Sequence, residues 1–163
     1  NWGGCDNVAI GRQALKKNTT GNCNTALGPY ALNDNTTGVN NVAMGSNALV
    51  QNTTGDNNNV MGYTTMYSNI SGSNNNAIGT QALKNNWGGN YNNALGRCAL
   101  HENTTGCNNA AIGLNALHKN TTGGCNTGLG DQALGSNTTA GFNTATGRHI
   151  IETIKEKYYE YEN

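Results

Sequence analysis

The chain has 163 residues, with 23 Gly, 1 Pro and only 11% charged side chains, nine basic against nine acidic, so its net charge is zero. Its mean hydropathy of −0.61 is too polar for a membrane span, the charge content is low for an ordinary soluble domain, and there is no basic footprint for nucleic acid. Ala carries much of the apolar content and no apolar run approaches the roughly 20 residues that cross a bilayer, so neither a conventional globular core nor membrane insertion is expected of this segment.

The chain opens at Asn1 without Met or a secretory leader, which reads as a processed chain or a fragment whose targeting segment lies elsewhere. From Gly4 it reads G-x-N-N-x-A-(I/L)-G-x-x-A-L-x-x-N-T-T. The unit restarts every 17 residues at Gly21, Gly38, Gly55, Gly72, Gly89, Gly106 and Gly123, and Ala140 opens the ninth. Two positions never vary: the fourth, from Asn7 through Asn24, Asn41, Asn58, Asn75, Asn92, Asn109 and Asn126 to Asn143, and the eighth, from Gly11 to Gly147. A period without insertions means one coil per repeat, because a one-residue slip would turn every later side chain to the wrong face. The unit is too short for the helical pairs of α-solenoids, which need more than about 30 residues, and Gly interrupts it twice. Pieces such as Asn7 to Ile10 and Gln13 to Leu15 read as extended segments joined by Asn/Gly corners.

The expected fold is all-β: a parallel β-solenoid of nine 17-residue coils over residues 1–147, rising roughly 4.8 Å per coil to a rod of about 40 Å. The fourth-position Asn residues stack as an amide ladder or simply fill polar turns, and the eighth-position Gly takes a positive φ at a corner.

Two apolar columns follow. Ile10, Leu27, Met44, Met61, Ile78, Leu95, Ile112 and Leu129 hold the seventh position; Leu15, Leu32, Leu49, Met66, Leu83, Leu100, Leu117 and Leu134 hold the twelfth, and each column is mostly preceded by Ala. Alternation along a strand puts one member of each pair inside and the other outside, and an outward Ala stripe is expected to suit a close partner surface.

Past Gly147 the pattern stops. Residues 148–163 are charged and free of Gly and Pro, and Ile151, Ile154, Tyr158 and Tyr161 follow the 3-4-3 spacing of a coiled-coil seam, with Ile leaning toward three or more strands. This segment is expected to be a short helix, either the start of a coiled-coil stalk or a cap on the solenoid.

The N-x-A-I-G and N-x-A-L-G elements at Asn7 to Gly11, Asn24 to Gly28, Asn75 to Gly79 and Asn109 to Gly113 resemble the head repeats of trimeric autotransporter adhesins, and similar repeats occur in viral and phage tail-fibre proteins. The resemblance covers roughly residues 4–149 and the stalk-like end. It implies a left-handed β-roll, three chains about one axis and a following stalk. The 17-residue unit and its N-T-T element depart from the adhesin pattern.

Five cysteines carry a further expectation. Cys5 with Cys23, and Cys107 with Cys125, hold the second and third positions of successive coils, which places them within disulfide reach near the two ends; buried free thiols or metal ligands are the alternatives. Such bridges imply an oxidising compartment. Cys98 is left over, inert or joined to another chain.

Each N-T-T makes a glycosylation sequon, at Asn18, Asn35, Asn52, Asn103, Asn120 and Asn137, and Asn69 with Ser71 adds one. These are either a line of glycans or Thr-rich turns. The Thr columns also admit an ice-binding reading, against which they break at Ile70 with Ser71 and at Trp87 with Gly88.

His101 and His118 share a repeat position and are read as a solvated pair rather than a metal site. No cofactor is expected, and no enzyme: P-loop, Ca²⁺-repeat and nucleophile-elbow motifs are missing, and Asp6, Asp34, Asp56, Glu102 and Asp131 do not share a single repeat position.

The expected role is a structural or adhesive module of an extracellular, cell-surface or virion fibre. Its partners would be copies of itself, as a trimer, and a host-surface glycan or protein, without nucleic acid. Tyr30, Tyr63, Tyr67, Trp87, Tyr91 and Phe142 are the large aromatics within the coils, and those left exposed are the contact candidates. The alternative is a subunit that stacks end to end into a filament without a receptor.

Overall fold

The computed structural model describes residues 3–149. Each coil contributes one three-residue strand: β1 (Val8–Ile10), β2 (Thr25–Leu27), β3 (Val42–Met44), β4 (Asn59–Met61), β5 (Asn76–Ile78), β6 (Asn93–Leu95), β7 (Ala110–Ile112), β8 (Thr127–Leu129) and β9 (Thr144–Thr146). They form a single nine-stranded parallel sheet in chain order. Its register is that of the repeat throughout, Ala9 facing Ala26 and Ala26 facing Ala43. The fold is therefore the expected β-solenoid, with no helix among the described residues.

The eighth-position Gly ends every strand. Its φ lies near +130°, as at Gly11 (127°) and Gly62 (134°), a region that L side chains avoid. A Cβ on Gly11 would also fall 2.6 Å from the carbonyl carbon of Gly28.

Beyond that corner the expectation of a second extended piece at Gln13 to Leu15 is wrong. Gln13 (φ 61°) and Leu15 (φ 51°) are both left-handed, and the same is true of Tyr30 and Leu32, Gln81 and Leu83, and Gln132 and Leu134. Two turns result, closed by Ala14 N–H to the Gly11 carbonyl at 3.2 Å and Asn18 N–H to the Leu15 carbonyl at 3.3 Å. A non-Gly residue in this conformation costs about 1–2 kcal/mol. The stacking offsets it: Leu15 N–H reaches the Ala31 carbonyl at 3.0 Å and Leu32 N–H the Ala48 carbonyl at 3.1 Å, so the turns are bonded coil to coil as the strands are.

These turns also decide what is buried. In the strand, side chains alternate, and the sixth position points inward (Ala26, Ala43, Val60, Ala77). In the turn, alternation fails, so both Ala31 and Leu32, and both Ala82 and Leu83, are fully buried. The core is therefore two small residues and one Leu per coil. The fourth coil varies it: Val60 stands for Ala, and the slender Met66 stands for Leu. Thr65 stands for the other Ala and donates its hydroxyl to the Gly79 carbonyl at 2.6 Å.

The polar half of the interior is built from two Asn columns. At the fourth position, Asn41 N–H donates to Asn24 Oδ1 (3.0 Å) and Asn41 Nδ2 to the Gly55 carbonyl (2.8 Å). At the fifteenth, Asn52 Nδ2 donates to Asn35 Oδ1 (2.8 Å) and to the same Gly55 carbonyl (2.9 Å). That crowding explains the first-position Gly: a Cβ on Gly38 would sit 2.5 Å from both Asn35 Oδ1 and the Gly55 carbonyl oxygen. Buried amides are tolerated only when their hydrogen bonds are made, and here each coil makes them with its neighbour.

Candidate interaction face

The strand face opposite the core carries the seventh position. Ile10, Leu27, Met61, Ile78, Leu95, Ile112 and Leu129 are exposed and Met44 is half-buried, so large aliphatic side chains line the outside of eight consecutive strands. This corrects the expected outward Ala stripe: Ala26, Ala77 and Ala111 are fully buried, and their larger neighbours face solvent. The interior of so narrow a coil takes a small residue at that point, Ala in most coils and at most Val60, and the Leu or Met of the turn fills the rest. With strands about 4.8 Å apart, the column is roughly 35 Å long.

Beside it runs the fifth position, which is polar in the middle. Asn59 Nδ2 donates to Asn76 Oδ1 (3.1 Å) and Asn76 Nδ2 to Asn93 Oδ1 (2.9 Å) on the open surface. Between these columns Asn76, Ile78, Asn93, Leu95 and Ile112 border a shallow groove of about 210 Å³. Scattered exposed apolar residues are ordinary on a protein, whereas a continuous apolar strip marks an interaction surface.

The exposed aromatics form no shared site. Tyr63, Trp87, Tyr91 and Phe142 are exposed, Tyr63 at the ninth repeat position, Trp87 at the sixteenth, and Tyr91 and Phe142 at the third but three coils apart; Tyr67 is half-buried, and Tyr30 packs beneath the Arg12 guanidinium at 4.7 Å. The inner Thr column is occupied internally, with Thr36 Oγ1 donating to the Thr53 carbonyl (2.9 Å) and Thr121 Oγ1 to the Thr138 carbonyl (3.0 Å). These hydroxyls bind the next coil, while the outer column of Thr20, Thr37, Thr54, Thr105, Thr122 and Thr139 is exposed.

Cys5, Cys23, Cys98, Cys107 and Cys125 are free thiols in this structure. The coils do bring the pairs together, with Cys23 N–H donating to the Cys5 carbonyl and Cys125 N–H to the Cys107 carbonyl, both at 3.0 Å. The second-position side chain has a partner of its own. Second-position side chains reach back to cap the preceding coil, as Asp56 Oδ1 does for Val39 N–H (2.8 Å) and Asn90 Oδ1 for Ser73 N–H (2.7 Å). Cys107 Sγ likewise accepts from Asn90 N–H at 3.3 Å, away from Cys125.

The sequon asparagines are also corrected. Asn18, Asn35, Asn52, Asn69, Asn103, Asn120 and Asn137 are the fifteenth-position ladder, all buried. Their Nδ2 atoms donate inside the coil, as Asn69 does to Asn52 Oδ1 (2.7 Å) and to the Gly72 carbonyl (2.9 Å). A glycan on that nitrogen would remove the bond and has no room in the folded coil. The signal was in the sequence: Asn86 keeps the column where Trp87 and Gly88 destroy the sequon, and it too is fully buried.

His101 and His118 stack, with ring centroids 5.0 Å apart. The seam residues Ile151, Ile154, Tyr158 and Tyr161 lie outside the described residues. No family model, curated protein or solved structure matches the chain.

Proposed function

We propose that this chain is a non-enzymatic structural module of an extracellular or virion-surface fibre, and that copies of it pack side by side, as a trimer, through the aliphatic column of the strand face. The observation that carries the reading is that column, from Ile10 to Leu129, which faces outward on eight consecutive coils and is exposed on seven of them. A second copy is the partner whose side chains repeat at the same rung spacing. Knobs on one chain can therefore enter the gaps on another along the full length, whereas a globular partner would match only a few rungs. The strip measures roughly 35 Å by 10 Å, so a stable interface of about 800 Å² per partner needs the flanking Asn column or two neighbouring copies as well. A three-fold arrangement supplies the second neighbour.

The resemblance of the N-x-A-(I/L)-G elements to adhesin heads and tail fibres supports the same assignment. Within it, the protruding Tyr63, Trp87, Tyr91 and Phe142 are the contacts offered to a host glycan or protein. Light scattering on the native particle tests the reading. A discrete species of three chains agrees with it, open-ended filaments point to end-to-end stacking through the sheet's terminal strands, and a monomer at high concentration overturns it.

A further inference from the structure

Residues 101, 102 and 118 form a second feature that the side-by-side packing leaves unused. Because the coils stack in register, His118 lies one rung from His101, with the rings 18° from parallel. Glu102 stands beside them, its Oε1 3.9 Å from His118 Nε2. One ligand atom from each residue can be chosen so that all three lie within 4.8 Å of one another.

The orientation of His118 points to a bound cation. His118 Nδ1 is 3.3 Å from the Cys98 carbonyl oxygen, so Nδ1 carries the hydrogen and the Nε2 lone pair faces Glu102. Metal-bound imidazoles are oriented in this way, the distal N–H held by a carbonyl. His101 Nδ1 is buried and has no hydrogen-bond partner, a condition it shares among the described residues with Asp131 Oδ1.

We propose that His101, Glu102 and His118 bind one divalent transition-metal ion of the zinc class, pinning two successive coils together, with water completing the coordination. Two imidazoles and a carboxylate with an open position are an established donor set for zinc. Ligand atoms about 2.0–2.1 Å from such an ion lie roughly 3.3 Å apart, so closure by about 1.5 Å is required, which side-chain rotation at this half-exposed edge supplies. Lys84 occupies the same column one coil earlier and Lys119 follows His118. Those cations oppose any dication, so the selection rests on the donors: two of the three are imidazole nitrogens, which suit zinc-class metals, whereas Ca²⁺ and Mg²⁺ depend on oxygen ligands.

The test is calorimetric titration of the full chain, stripped with EDTA and kept reduced, with Zn²⁺ alone. Saturation at one equivalent per chain is expected, with no heat from Mg²⁺ or Ca²⁺. The repeat supplies conservative variants: Asn33 occupies the same position and donates to the Gln13 carbonyl at 2.9 Å, so His118→Asn and His101→Asn keep the fold, which circular dichroism checks. Each is expected to weaken zinc binding at least tenfold, and Glu102→Gln to weaken it less. With Co²⁺, the absorption spectrum should lack a thiolate charge-transfer band. Binding that survives both His substitutions, a thiolate band from the free cysteines, or no saturable binding would overturn the assignment.

Discussion

Replacing Asn75 by Ala isolates the contribution of the fourth-position ladder. Asn75 is fully buried. Its Nδ2 donates to Asn58 Oδ1 (3.1 Å) and the Gly89 carbonyl (2.9 Å), and its Oδ1 accepts Asn92 N–H (2.9 Å). After truncation, Asn58 Oδ1 still accepts Asn75 N–H and the Gly89 carbonyl still accepts Asn86 Nδ2. Asn92 N–H has lost its Asn75 acceptor. A buried donor stranded in this way costs about 1–3 kcal/mol, and the missing side chain adds a small cavity, so a loss of about 2–4 kcal/mol is expected. The neighbouring Asn76 makes amide bonds of the same kind on the open face, where water replaces them, and Asn76→Ala should cost below about 0.5 kcal/mol. Urea unfolding followed by circular dichroism compares the two. Since coils interact only with their neighbours, the Asn75 variant should also broaden or split the transition. Equal midpoints for the two variants would refute the reasoning that burial makes the ladder structural.

Three further outcomes are expected. Gly79→Ala forces a side chain into φ +127° with its Cβ 2.7 Å from the Gly96 carbonyl and should destabilise the chain by about 3 kcal/mol or more, while Gly88→Ala, whose Cβ would meet only Ser71 Oγ at 3.5 Å, should leave the thermal midpoint unchanged. The exposed thiols of Cys5, Cys23 and Cys125 should react with a thiol reagent in the folded protein and buried Cys98 only after unfolding, and a drop in the midpoint on adding reductant would instead reveal a structural disulfide. In EDTA-treated protein, burial first, then the charges of His118 and Lys84, outweigh the pull of Glu102 and hold the His101 pKa below the usual 6.5. In the interval between the two values the unfolded chain holds a proton that the folded chain lacks. Stability is therefore full above about pH 6.5 and declines as pH falls toward the folded value, and an NMR titration placing His101 at or above the ordinary imidazole range would contradict this.

Period, register and fold class were readable because they depend on spacing: an unbroken 17-residue repeat admits one stacking, and the Gly of Gly11 to Gly147 could be read as corners by their chemistry alone. The turn after each strand was not readable, since Leu15, Leu32 and Leu83 take φ near +50° against their own preference, compelled by bonds to the next coil. That one misreading carried others with it. Once Ala and Leu of the turn both point inward, the strand buries a small side chain such as Ala26 or Ala77, and Leu27 or Ile78 faces out. Reading Asn18 and its equivalents as sequons missed the interior ladder for a different reason, because a local motif was weighed ahead of the column's persistence at Asn86. The cysteine pairs show that backbone adjacency does not fix side-chain direction, since Cys107 Sγ turns toward Asn90.

The most direct test of the side-by-side account is sedimentation and circular dichroism of a double variant, Ile78→Lys with Leu95→Lys, at the middle of the exposed column. Both side chains already face solvent, so the isolated coil should keep its spectrum and thermal transition, and the particle should fall from three chains to one. An oligomer of unchanged mass would show that copies do not meet through this face.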